Sequence, residues 1–185
     1  MKNYWQNAVT FDEYIKETER RIEVQNPEDD HNEYYELGLQ RMNRTLKTFK
    51  ADEEQLETLK SKNFNGKILI ITEPWCGDAS ATVPAVSKFF EGHNEVRIFY
   101  RDSDTSLIDQ FLTNGTQSIP KILILNEDFS LKNVWGPRPQ YGTELLKKFK
   151  ENPEKYPREE FYNDLQVYYA KNKGKDAIQE ILELL

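Results

Sequence analysis

Hydrophobic residues in the N-terminal third of the chain recur at intervals of three and four, the repeat of a buried helical stripe. Phe11, Tyr14, Ile15, Thr18 and Ile22 share one face. Thr10-Phe11-Asp12-Glu13 ahead of them fits a capping box, with Thr10 accepting from a first-turn amide and Glu13 reaching back. Asn26-Pro27 ends this helix. From about Asn32 the series Tyr35, Leu39, Met42, Leu46 and Phe49 predicts a second helix, and Leu56 with Leu59 marks a short third one.

The period then changes. Lys67-Ile68-Leu69-Ile70-Ile71-Thr72 is a β-branched run bounded by Asn65-Gly66 and Glu73-Pro74, the pattern of a strand covered on both faces. Ala79 to Glu91 returns to helical spacing with Val83, Val86, Phe89 and Phe90, and stops at Gly92. Glu95 to Arg101 alternates Val96, Ile98 and Tyr100 as a second strand, completing a β-α-β unit with parallel strands. A short helix follows with Leu107, Ile108, Phe111 and Leu112, closed by Asn114-Gly115. Lys121 to Leu125 then reads as a strand joined through Asn126-Glu127-Asp128 to another from Phe129 to Trp135, which is a hairpin. Gly136-Pro137-Arg138-Pro139 breaks the pattern. Helical spacing resumes with Leu145, Leu146 and Phe149, and again after Pro153 and Pro157 with Phe161, Leu165 and Tyr168. The chain ends in an amphipathic turn with Ile181, Leu182 and Leu185.

Length and composition narrow the picture. The chain has 185 residues, 37% hydrophobic and 31% charged, with 10 Tyr, 10 Phe and 3 Trp, too much aromatic mass for a disordered segment. One compact domain with appendages is expected: a helical arm over 1–62, a core over 63–151 and a helical extension over 152–185. Net charge is -7, with 25 Lys+Arg against 32 Asp+Glu and no basic cluster, so nucleic acid is excluded as a partner. The apolar runs Ile68 to Ile71 and Ile122 to Leu125 fall far short of the roughly 20 residues that cross a bilayer. With no signal-peptide apolar core at the N-terminus, the expectation is a soluble, cytoplasmic protein without a membrane partner. Nothing in the sequence signals an oligomeric state. Cys76 is the only cysteine, which excludes an intramolecular disulfide and an all-cysteine zinc site.

The order strand, helix, strand, helix, strand, strand, helix, with Trp75-Cys76-Gly77 at the start of its first helix, resembles the thioredoxin fold. Three further features carry the likeness: Pro84 where thioredoxins have a kinking proline, Ser118-Ile119-Pro120 like the family's cis-proline loop, and the closing glycine Gly136. The helical arms lie outside the minimal fold and in length look like those of bacterial thioredoxin-like proteins with a WCxD-type motif. The resemblance implies a three-layer α/β/α architecture around a mixed sheet of about four strands. It also exposes two departures. Ala79 stands where the family has its resolving cysteine, and Ile70 where it keeps the buried acid that takes that thiol's proton. A dithiol cycle is therefore excluded, and a mixed disulfide on Cys76 is released only by an outside thiol.

A cysteine in the first turn of a helix sits over unpaired N–H groups and the positive end of the dipole, which lowers a thiol pKa from about 8.5 to 7.5 or less. Asp78 and Glu73 oppose this by like-charge repulsion. The expectation is a moderately reactive thiol. The resemblance puts the Ile119 backbone beside the sulfur, with Trp75, Gly77, Asp78, Ser118, Ile119 and Pro120 shaping a groove for an extended cysteine-containing ligand. Two functions stand side by side. In one, Cys76 is the catalytic residue of a monothiol thiol–disulfide exchange with a thiol-containing protein or small thiol, in cell redox homeostasis. In the other, the fold is an inactive module that binds an extended peptide or partner protein. The bland reading of a lone cysteine is a small buried hydrophobe.

The remaining residues divide between plain and functional readings. Asp78 reads as a first-turn acid serving the dipole or as a catalytic group, Ser80 as a solvated serine, and Trp75 as a packing wall. No cofactor or metal is expected. His31, beside Asp29 and Asp30, reads as a solvated loop residue, and His93 falls at the end of the sheet opposite Cys76. Asp102-Ser103-Asp104 lacks the other ligands of a calcium loop. Tyr156, Tyr162, Tyr168 and Tyr169 read as core, with a partner groove as the alternative.

Overall fold

The computed structural model describes residues 1–185. Four helices come first: Lys2–Gln6 (α1), Phe11–Val24 (α2), Asn32–Thr48 (α3) and Glu53–Ser61 (α4). The strand Lys67–Thr72 (β1) leads into Ala79–Phe90 (α5), and Val96–Tyr100 (β2) follows. Lys121–Leu125 (β3) and Leu131–Trp135 (β4) form the hairpin, and Gln140–Glu151 (α6), Arg158–Asn172 (α7) and Lys175–Glu183 (α8) complete the chain.

The sheet order is β2-β1-β3-β4. β1 runs parallel to β2, with Ile70 opposite Ile98, and antiparallel to β3, with Ile70 opposite Ile122. This is the mixed four-stranded sheet with flanking helices of a thioredoxin-like fold. Ile68, Leu69, Ile70 and Ile71 are all buried, as the uninterrupted apolar run requires of a strand with both faces covered. The capping box at Thr10 forms: the Glu13 N–H donates to the Thr10 hydroxyl at 3.3 Å and the Glu13 carboxylate accepts from the Thr10 N–H at 2.7 Å.

Three local expectations are corrected. The helix expected around Leu107 to Leu112 contracts to one 3₁₀ turn, Ile108–Gln110, because Asn114 and Gly115 reverse the chain with positive φ angles shortly after it. Strand β4 begins at Leu131 rather than Phe129, since Phe129 itself has φ +66 and belongs to the turn. Helix α1 was invisible to periodicity because five residues hold little more than one turn. It seats Trp5 in the core beneath the Arg97 guanidinium, 5.2 Å from the ring, and Val9 then bridges to Ile98 by two 2.8 Å backbone bonds. That bridge covers part of the outer edge of β2.

The arms share the core of the sheet. Trp5, Tyr14, Met42 and Leu59 from the N-terminal helices and Ala177, Ile178, Ile181 and Leu182 from α8 join one apolar cluster with the strands and α5. A smaller cluster joins Ala81 of α5 to Tyr156, Phe161, Leu165 and Tyr169. Helix α5, apolar on nearly every face, packs against α3, α7 and α8. Helix α3 also approaches the turn before α5 closely at Gly38, where an added Cβ would lie 2.7 Å from the Pro74 carbonyl oxygen. A helical Gly→Ala change gains about 1 kcal/mol when the site is open. At Gly38 the overlap with rigid backbone reverses that sign, and Gly38→Ala is expected to cost about 1–3 kcal/mol. A denaturation midpoint at or above that of the wild type would show that α3 does not pack this tightly on the Pro74 turn.

Candidate functional site

The turn from Glu73 to Asp78 connects the buried end of β1 to α5, and its only thiol is enclosed. Cys76 is 7% exposed. Its Sγ–H donates to the Ile119 carbonyl at 3.4 Å, so the thiol is turned toward the loop before β3. The Ile119–Pro120 and Gly136–Pro137 peptide bonds are both cis. The buried Lys121 ammonium donates to the Gly136 carbonyl at 3.0 Å and ties these two segments together. Gly136 has φ +112, and a side chain there would collide with the Pro120 carbonyl, so only glycine fits.

The electrostatics weigh against ionisation of the thiol. Burial, followed by the Asp78 charge, pushes the Cys76 pKa from an ordinary 9.0 up to about 12, while the Ala79 and Asp78 N–H groups pull the other way. The dipole effect is present but smaller than the loss of solvation. At neutral pH Cys76 is a protonated thiol.

Asp78 does not cap α5 with its side chain. Instead its carboxylate accepts from the Arg138 guanidinium at 2.6 Å and from the Tyr169 hydroxyl at 2.8 Å, and it is 7% exposed. Burial pushes its pKa above the ordinary carboxylate range, against the pull of Arg138 and Tyr169. Neither Arg138 nor Tyr169 was singled out as a partner of this acid by the sequence. Arg138 stood only in a proline-flanked break and Tyr169 in an aromatic stripe.

Glu73, on the other side of the thiol, is also buried. Its carboxylate accepts from the Asp102 N–H at 2.8 Å and from Arg21 at 3.3 Å. Arg21 lies over the Tyr35 and Tyr100 rings at 5.6 and 5.1 Å. Burial raises the Glu73 pKa, and the Asp102 N–H and Arg21 oppose that rise.

Trp75 is more constrained than a simple wall. Its indole stacks on His31 at 4.4 Å with an interplanar angle of 14°, carries the Arg101 guanidinium 4.8 Å from its centre, and donates to Asp102 at 3.2 Å. His31 lies in the loop with its side chain 40% exposed, and is in addition a stacking partner of Trp75. Ser80 is corrected: it is buried, and its hydroxyl donates to the Gly77 carbonyl at 2.8 Å. Ser118 bonds Thr116 at 2.7 Å and does not reach the sulfur. Of the tyrosine stripe, Tyr156 and Tyr169 are core, whereas Tyr162 is exposed. Helices α3 and α7 flank Gly77, with Arg41 and Gln166 as its nearest neighbours.

The thiol's ionisation is measurable by alkylation. Because the folded pKa lies near 12 and the ordinary value is 9.0, the alkylation rate of folded protein is expected to keep rising through pH 9 without a plateau. The same shift makes stability fall between pH 9 and 12: the unfolded chain releases the proton first, and below pH 9 this group gives no pH dependence. Asp78→Asn removes the repelling charge and leaves Arg138 in place, so alkylation at pH 8 should quicken severalfold. An alkylation plateau near pH 9, or no response to Asp78→Asn, would contradict this electrostatic account.

No helix is long and apolar enough to cross a membrane. No curated protein matches the sequence. Among solved structures, an HIV epitope-scaffold superposes with a TM-score of 0.68 at 15% identity, covering 99% of this chain and 95% of its own. A protein of unknown function from Pseudomonas aeruginosa gives a TM-score of 0.64 at 17% identity, covering 98% of this chain and 93% of its own. Both likenesses are of fold. The family model described as thioredoxin matches residues 24–150, more than half of the chain, and with the cis-proline loop set against the thiol at the start of α5, the chain belongs to the thioredoxin family.

Proposed function

We propose that the chain works as a single-thiol member of its family, with Cys76 exchanging disulfides with a partner held along the Ile119–Pro120 loop. The observation that carries this is the 3.4 Å contact of the Cys76 thiol with the Ile119 carbonyl, which sets the sulfur beside the backbone that an extended partner would have to engage. A ligand that pairs with Ile119 competes for that carbonyl and frees the thiol from it. Cys76 then attacks one sulfur of the bound disulfide, R–S–S–R′. The bond between those sulfurs breaks, Cys76–S–S–R forms, and the departing R′–S⁻ takes the proton that Cys76 gives up. Since Ala79 supplies no second thiol, an external thiol must attack the mixed disulfide, regenerating Cys76 and leaving as the new disulfide.

One observation favours the other reading, a binding module without turnover. The resting thiol is buried and its pKa is pushed up to about 12, so very little thiolate is present at neutral pH. The two readings separate in a mass measurement. Incubation with hydroxyethyl disulfide should add one mixed-disulfide adduct, lost in Cys76→Ser and removed by an added monothiol. Insulin reduction by the wild type should stay at background, and Ala79→Cys should raise it. An unmodified Cys76 after prolonged incubation, with the unfolded chain reacting normally, selects the binding module.

A further inference from the structure

The turn at Gly77 carries a polar arrangement that exchange chemistry alone does not require. Arg41 from α3 and Gln166 from α7 converge on Gly77, their Nη1 and Nε2 atoms lying 3.6 and 3.7 Å from the point where its Cβ would stand. Both are N–H donors. They arrive from helices far apart in sequence at the residue that follows the thiol.

Neither group is engaged elsewhere. Arg41 is only partly exposed and makes no ion pair or side-chain hydrogen bond, and the Gln166 side-chain amide makes none either. The other nearby guanidinium, Arg138, is committed to Asp78. A half-buried arginine without a counter-ion is costly, and its pKa is lowered, first by burial and then by Arg44. The molecule as a whole has net charge -7, but a screening length of about 8 Å at physiological salt makes the local cation decide what binds at this turn.

We infer that Arg41 and Gln166 form a subsite for a carboxylate carried by the disulfide partner of Cys76, so that the substrate class is a small anionic disulfide. The inference rests on the exchange reading given above. Enclosure of the turn between α3 and α7 suits a short chain rather than a folded protein surface. In this arrangement Arg41 and Gln166 position the substrate, and Cys76 alone forms and breaks bonds.

Three matched disulfides test it: 3,3′-dithiodipropionate, hydroxyethyl disulfide and cystamine, which are anionic, neutral and cationic. Rates of adduct formation on Cys76 are divided by those of an unstructured cysteine peptide. The dithiodipropionate rate is expected to exceed the hydroxyethyl rate about tenfold, the effect of one charge-assisted hydrogen bond, with cystamine slowest. Arg41→Gln should bring the ratio of the dithiodipropionate to the hydroxyethyl rate down to about one, and Arg41→Lys should keep part of the preference. Equal normalised rates in the wild type, or a preference unchanged in Arg41→Gln, would overturn the subsite. If none of the three modifies Cys76, the exchange reading fails, and the subsite is judged separately on Cys76→Ser protein. Calorimetric titration with dithiodipropionate should then show salt-sensitive binding that weakens about tenfold in Arg41→Gln. Absence of binding there overturns the subsite itself.

Discussion

A carboxylate withdrawn from water has to be neutralised by its neighbours, and Asp78 meets that requirement with groups from two distant parts of the chain. Arg138 arrives from the loop after β4 and Tyr169 from α7. Removing one partner of such a buried pair costs about 3–5 kcal/mol, against the 0–1 kcal/mol typical of surface pairs. This single interaction therefore fixes the start of α5, the proline-flanked loop and the C-terminal extension relative to one another. The prolines on either side of Arg138 restrict its backbone, which lowers the entropy lost in holding the guanidinium against the acid.

The state of the thiol follows from the same enclosure. Two effects of opposite sign act on Cys76. The first-turn N–H groups of α5 favour the thiolate, and burial with the nearby Asp78 charge disfavours it. In an open turn the first effect governs, which is the basis for expecting a reactive sulfur from position alone. Here α3 and α7 flank the turn, the sulfur is buried, and loss of hydration outweighs the dipole. The proton stays and finds its acceptor in the Ile119 carbonyl.

How much of this was legible in the sequence depends on the range of the interactions. The β-branched run of β1, the capping box at Thr10 and the stripe of α3 are encoded in adjacent residues, so pattern reading finds them. The likeness to thioredoxins identified the cysteine turn and the loop at Pro120 because each is a short, local motif. Arg138, Tyr169, Arg41 and Gln166 carry no such mark. Each sits among polar and aromatic residues that look alike along a helix or loop, and only the tertiary packing brings them to Gly77 and Asp78. The stacking of His31 was missed for the same reason: an acidic loop shows no sign of it until Trp75, 44 positions later, comes to lie flat against the imidazole.

Glu73 completes the symmetry of the site. As α7 supplies a partner for the acid after the thiol, α2 supplies Arg21 for the acid before it, and the Arg21 guanidinium is held between Tyr35 of α3 and Tyr100 of β2. Each arm thus supplies a partner to a buried acid flanking Cys76, the N-terminal one a guanidinium and the C-terminal one a hydroxyl, and neither is an ornament on a minimal fold. The lost features of a dithiol site, Ala79 and Ile70, are both fully buried apolar residues, so neither position supplies a resolving thiol or an acceptor for its proton. What the arms add in their place is enclosure. A thiol held protonated by its surroundings reacts at a rate set by how well a partner displaces its carbonyl contact. Under the exchange reading, selectivity at Cys76 comes from docking rather than from thiolate population.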